Sequence, residues 1–161
     1  MKSTSDTKLK WFQIRIIYRL IPTNRFLYIR KIIDNPSCSF GCGEEETIEH
    51  LFFDCPTVQL FWTDLLLWIR SNCCHCENFL FTEELVVLGR KNKTITDKVM
   101  DLIILSAKWH IYKCKLQNTY PHLNAFKNIL RNRYIIEKYN SAMQCNITKF
   151  SMMWRMYQPL I

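Results

Sequence analysis

The segment "PSCSFGCGEEETIEHLFFDCP", residues 36–56, constrains the fold more than any other. It spaces four soft or borderline metal donors as Cys38-x3-Cys42-x7-His50-x4-Cys55. Zinc takes such donors in a tetrahedron, so the four side chains must meet at one point. Cys38 and Cys42 bracket a turn, "SFG", in which Gly41 can adopt the positive φ that brings both sulfurs to one ion. Thr47 opens a short helix, "TIEHLFFD", with His50 in its middle, and Pro56 turns Cys55 out of helical backbone and ends it. A histidine on the helix and a cysteine at its end then converge on the turn. All four positions are filled by protein, which points to one structural Zn2+ rather than a catalytic ion with a free place for water. The glutamates of the segment are expected to hydrate it, not to bind the ion. The competing interpretation is a set of ordinary buried cysteines beside one exposed histidine. The compact spacing, the turn glycine and the helix-end proline favour the metal.

The rest of the chain reads as mostly α: a helical domain with a small Cys-Cys-His-Cys zinc knuckle inserted between helices. Gly (3) and Pro (5) are scarce in 161 residues, and apolar residues recur at helical spacing. A first helix, "TKLKWFQIRIIYRLI", has a mostly apolar circumference and should be largely buried up to Pro22. Thr23 or Asn24 caps a second, "RFLYIRKII". Pro56 suits the first turn of "PTVQLFWTDLLLWIRS", and residues 71–81 form a loop. "FTEELVVLG" fits either a short helix capped by Thr82 or a strand, closed by Gly89. The longest helical pattern runs from Thr96 to Gln117, about 33 Å at 1.5 Å per residue. After Pro121 come "LNAFKNILRNRYIIEKYNSAM" and a short amphipathic piece, "ITKFSMMWRMY". The division this implies is 1–71 for the basic helices and the knuckle (36–56), then 72–161 for a C-terminal helical part packed on the first as one unit.

No apolar run is long enough to cross a membrane, and "MKSTSDTKLK" is too polar for a secretory signal. The expected location is intracellular, cytoplasm and/or nucleus, with the eight cysteines as thiols or metal ligands. The Asn-x-Thr matches at Asn92 and Asn146 are then fortuitous. "NCCHCEN" places Cys73, Cys74, His75 and Cys76 too close in sequence to surround one ion without strain, so it reads as a thiol loop, a second metal remaining the alternative. His110 and His122 are lone histidines with structural or exposed roles. Charge is uneven: residues 1–31 carry eight Lys/Arg against one acid, residues 32–55 six acids and no base. Basic segments flanking an acidic insert are compatible with a polyanionic partner.

The stretch "RLIPTNRFLYIRKI…CSFGCGEEETIEHLFFDCPTVQLFW" resembles the zinc-binding region that follows the polymerase in LINE-type (non-LTR) retrotransposon reverse transcriptases. The resemblance rests on Thr23-Asn24, Cys38, Cys42, Glu46 through Leu51, Cys55 and Phe61-Trp62. "LIILSAKWHIYKCKLQNTYP" and "IEKYNSA" are similar to the tails of such proteins. The three-residue gap between Cys38 and Cys42 departs from the two-residue gap common in zinc knuckles. The resemblance implies a non-catalytic, zinc-stabilised module that grips nucleic acid, RNA ahead of DNA, beside a polymerase. The alternatives are a scaffold domain docking on the polymerase through apolar helix faces, and a non-functional fragment of a decayed element. Two-metal polymerase catalysis needs clustered carboxylates, whereas the aspartates here are scattered at 6, 34, 54, 64, 97 and 101, and no endonuclease set is visible. The chain is therefore expected to be the separated tail of such a protein and not an enzyme.

For phosphate contacts the candidates are Lys8, Arg15 and Arg19 on the first helix, with Arg25, Arg30 and Lys31 on the second. Lys108, Lys115, Lys127, Arg131 and Arg133 are further bases on later helices. Trp11, Tyr18, Tyr28, Trp109 and Tyr112 lie close enough to these basic residues to stack on unpaired bases of a strand.

Overall fold

The computed structural model describes residues 4, 6–73, 76–89 and 97–161. Asn92, Thr96, Cys74 and His75 lie outside the described residues. Seven α-helices are described: α1 (Thr7–Ile17), α2 (Asn24–Ile29), α3 (Pro56–Asn72), α4 (Glu83–Val87), α5 (Asp97–Gln117), α6 (Leu123–Met143) and α7 (Ile147–Trp154). A π-helical turn, His50–Asp54, precedes α3, and a 3-10 helix, Arg155–Leu160, follows α7 and runs through Pro159. Among the described residues extended pairing is limited to an isolated bridge between Ser37 and Glu45, which closes the knuckle loop. The fold is almost wholly helical, with the cysteine segment between helices.

Helix α5 is the axis of the molecule. Val99, Met100, Leu102–Leu105, Ala107 and Ile111 are buried on almost every side of it, and α1, α4, α6, α7 and the π turn all pack against it. Phe12 of α1 meets Phe52 of the π turn (5.9 Å), Trp109 (4.9 Å) and Tyr112 (5.4 Å) of α5 in one aromatic cluster. Phe61 of α3 packs edge-on to Phe126 of α6 at 5.7 Å, with His110 against both rings. One buried apolar cluster thus extends from Leu9 to Leu160. His110 is a core residue of it, and burial pulls its imidazole below the usual histidine range.

Two helices end earlier than their apolar patterns suggest. The apolar run of α1 reaches Ile21, yet the helix closes at Ile17. Arg19 takes φ +57°, and the N–H groups of Arg19 and Leu20 return to the carbonyls of Ile16 (3.0 Å) and Arg15 (2.7 Å). This is a Schellman closure built on a non-glycine residue. Helix α2 ends the same way at Lys31, φ +57°, short of the "KII" run. Helix α1 is also less buried than its composition implies: Leu9, Phe12, Gln13 and Ile16 face the core, while Trp11, Arg15 and Ile17 are exposed. The segment 82–88 resolves as a helix, because the Thr82 hydroxyl accepts from the Leu85 N–H (3.2 Å) and caps it.

Candidate metal centre

The knuckle is assembled by backbone bonds before any ion is considered. Cys38 N–H donates to the Glu44 carbonyl (2.8 Å) and Glu46 N–H to that of Pro36 (2.9 Å), drawing the ends of the loop together. Gly41 sits at φ +76° and donates to the Cys38 carbonyl (3.0 Å), the turn expected of it. Phe40 N–H points at Cys38 Sγ (3.3 Å), a donor suited to a thiolate. Thr47 caps the helix that follows, its hydroxyl accepting from His50 N–H at 3.0 Å.

The π winding decides where the last two donors face. In an α-helix, residues five apart are rotated by about 140°. Here Cys55 N–H bonds to the His50 carbonyl (3.0 Å), the i→i+5 pattern that widens the turn and aligns the two side chains. Trp62 fixes this geometry by donating its indole N–H to the Phe52 carbonyl at 2.8 Å. Cys55 then caps α3 at its N-terminus, where the helix dipole and first-turn amides favour a thiolate.

The ligand atoms of Cys38, Cys42, His50 and Cys55 all lie within 4.8 Å of one another. Cys38 Sγ and Cys55 Sγ are 3.7 Å apart, and Cys42 Sγ is 3.1 Å from His50 Nε2. With Zn–S bonds of about 2.3 Å, a tetrahedron has S···S edges of about 3.8 Å. Three of the donors are buried and Cys42 is half-buried. The hydrogen bond from the Cys38 thiol lowers the Cys55 thiol below the usual cysteine range, the direction a metal-binding thiolate needs. Donor chemistry and spacing fit a single Zn2+.

Behind the donors lies a buried polar lattice that no local sequence pattern announces. Glu46 is fully buried. Its carboxylate accepts from the backbone N–H groups of Asn24 and Ser39 (both 2.9 Å) and pairs with Lys115 of α5. Lys115 Nζ also donates to Asn24 Oδ1 (2.8 Å) and Ser39 Oγ (3.1 Å), and Asn24 Nδ2 donates to the Ser37 carbonyl (2.6 Å). Glu44 and Glu45 do face solvent, but Glu46 is a structural tie between the knuckle, α2 and α5. Thr23-Asn24 and Glu46 belong to the stretch that carries the family resemblance, but nothing in the local pattern ties them to Lys115.

The same lattice removes Lys115 from the phosphate candidates. Lys108 leaves them too: it is 1% exposed, donates to Gln13 Oε1, and burial lowers its ammonium to about 7. Tyr112 is buried and Trp109 half-buried in the core, so neither offers a free stacking face. Lys127 sits over the Trp68 ring (5.1 Å), Arg131 donates to the Ile161 carbonyl (2.9 Å), and Arg133 pairs with Asp6.

The N-terminal candidates are all on the surface: Lys8, Trp11, Arg15, Arg19, Arg25, Arg30 and Lys31 are exposed. Arg19 forks onto Glu49 and Arg25 pairs with Glu45, while Arg30 stacks over Phe26 at 3.6 Å. Lys8, Trp11 (62% exposed), Arg15 and Tyr18 (70% exposed) form a continuous outward stripe along α1 and its C-cap.

Residues 1–62 match the family described as zinc-binding in reverse transcriptase. The match takes in all four donors, Asn24, Glu46 and Trp62, and stops within α3. No curated protein matches the chain. The chain carries a zinc-binding module related to that reverse-transcriptase family, and its Cys3His cluster can coordinate one zinc ion. Among the described residues no helix is long and apolar enough to cross a membrane.

Proposed function

We propose that this chain is a non-catalytic nucleic-acid-binding module of the reverse-transcriptase type, in which Cys38, Cys42, His50 and Cys55 hold one structural Zn2+. The ion supplies rigidity: it locks the 38–42 turn against the π turn and, through Glu46, against α2 and α5. The chain's own residues do the binding. Lys8 and Arg15 approach phosphates while Trp11 and Tyr18 stack on unpaired bases, with Arg30 and Lys31 extending the basic surface onto α2. Arg19 and Arg25 contribute after exchanging their glutamate partners for phosphate, a small cost for surface pairs.

The observation that carries this reading is the exposed α1 stripe. A tryptophan and a tyrosine so open to water, interleaved with cations that have no acidic partner among the described residues, are costly unless something covers them. Unpaired RNA offers both the charge and the flat faces that match, and is preferred over duplex DNA on that ground. The partner polymerase and an intracellular site of action, cytoplasm or nucleus, are inferred from the family match.

Binding of single-stranded RNA measured against salt tests it. The logarithm of affinity should fall linearly with the logarithm of salt concentration. Lys8→Gln with Arg15→Gln should flatten the slope by roughly 0.7 for each phosphate no longer neutralised. Trp11→Ala should cost about 1–3 kcal/mol and leave the slope unchanged. Salt-insensitive association with a polymerase fragment, with no RNA retained, would instead favour a scaffold role through the exposed apolar faces.

A further inference from the structure

A cleft of about 460 Å³ opens where α1, α5, α6 and α7 approach one another, away from the zinc donors. Lys10 of α1, Lys98 in the first turn of α5 and Lys149 in the first turn of α7 all line it. Lys10 and Lys98 are half-buried and Lys149 is exposed. None of the three has an ion-pair partner among the described residues. The carboxylate in the lining, Glu137, is buried and accepts from the Thr4 hydroxyl.

Three ammonium groups against the one carboxylate of Glu137 leave the cleft net positive, and partial burial of Lys10 and Lys98 strengthens that field. An anion is drawn to it. The Ser141 hydroxyl and the Gln144 side-chain amide add donors suited to phosphate oxygens, while the Asn146 amide donates to the Gln144 backbone carbonyl (3.1 Å). Asn146 precedes α7 without capping it, so the positive end of that helix keeps no side-chain acceptor. Val99, Phe150 and Trp154 give the cleft an apolar floor, and its volume falls within the roughly 300–1,000 Å³ of small-molecule sites.

We propose that this cleft binds a phosphorylated ligand of nucleotide size, with Lys10, Lys98 and Lys149 on the phosphate oxygens and the apolar floor under the base or sugar. The site goes beyond the function proposed above, because Lys98 and Lys149 lie outside the matched segment and away from the α1 stripe. The phosphate can belong to a free nucleotide or to one unit of a strand, and the chemistry of recognition is the same.

The test is a nuclear magnetic resonance titration of the zinc-loaded full chain with inorganic phosphate, adenosine monophosphate and a 5′-phosphorylated octaribonucleotide in turn. Backbone amides of Lys98, Ser141 and Asn146–Lys149 are expected to shift with the nucleotide or the oligonucleotide. Lys98→Gln with Lys149→Gln should weaken that response about tenfold or more. A response to the mononucleotide assigns the site to free nucleotide; a response to the octamer alone assigns it to a strand. The proposal is overturned if these amides stay still with every probe, or if the double variant titrates like the parent. Shifts confined to α2 and the α1 stripe with the octamer overturn the cleft and leave the stripe standing as the strand-binding surface; shifts confined to the cleft overturn the stripe and leave the cleft standing.

Discussion

At the scale of single residues, the two buried lysines of α5 carry the clearest consequences. Lys115 and Glu46 form an ion pair in which neither side chain is more than 7% exposed. Removing one partner leaves the other charged and desolvated. Lys115→Met is expected to cost about 3–5 kcal/mol in denaturant unfolding, and to cost less when Glu46→Gln accompanies it. Lys108 makes a pH prediction. Its ammonium is lowered to about 7 by desolvation, against 10.5 for an ordinary lysine, with Asp101 acting in the opposite direction. Between those values the unfolded chain binds more protons than the folded one, so stability rises with pH across the window. Below about 7 both states are protonated and the penalty is fully present. The stability difference between the parent and Lys108→Met should therefore move in the parent's favour from about pH 7 to about pH 10, by at most about 1.4 kcal/mol per pH unit. A difference independent of pH would contradict this. The four candidate zinc donors are readable in the sequence because their spacing encodes a turn and a helix end. Glu46 and Lys115 are not, since a partner 69 positions away leaves no local pattern and both residues are usually found in solvent.

At the scale of elements, helix types and most starts follow from capping chemistry, while several ends do not. Thr23, Thr82 and Pro56 mark starts as their side chains dictate, and α6 spans the full Leu123–Met143 pattern. Four helices, however, close on left-handed residues that are not glycine: Arg19, Lys31, Asn118 and Cys145. With three glycines in the chain, two of them in the knuckle, the usual stop signal is missing from the sequence. Each such residue, asparagine least, bears a strain of about 1–2 kcal/mol that glycine would relieve. Cys145→Gly, at an exposed position with φ +54°, should raise stability by up to about 1 kcal/mol. A melting temperature unchanged or lowered would show that the Cys145 backbone is unstrained. The π turn is equally hidden, because "TIEHLFFD" fits an ordinary helix and only the need to aim both His50 and Cys55 at one point selects the wider winding.

At the scale of the molecule, the candidate metal centre packs against the C-terminal helices. The match to the zinc-binding family stops at residue 62, yet the knuckle rests on α5 through Lys115 and the Phe12–Phe52–Tyr112 cluster. A chain truncated after Asn72 would expose Glu46 and the apolar faces of α1 and α3. Such a truncation is expected to lose cooperative unfolding even with zinc present, as seen in a broad transition and a poorly dispersed spectrum. By the same coupling, chelation should loosen α5 as well as the knuckle, since structural zinc contributes on the order of 10 kcal/mol or more to folding in small domains. The most direct test of the central claim is zinc content by elemental analysis, on protein purified without chelator or metal-affinity resin. One zinc per chain, lost in Cys38→Ser with Cys55→Ser, is the predicted result. A folded chain without zinc, or one whose zinc survives that double substitution, would contradict it.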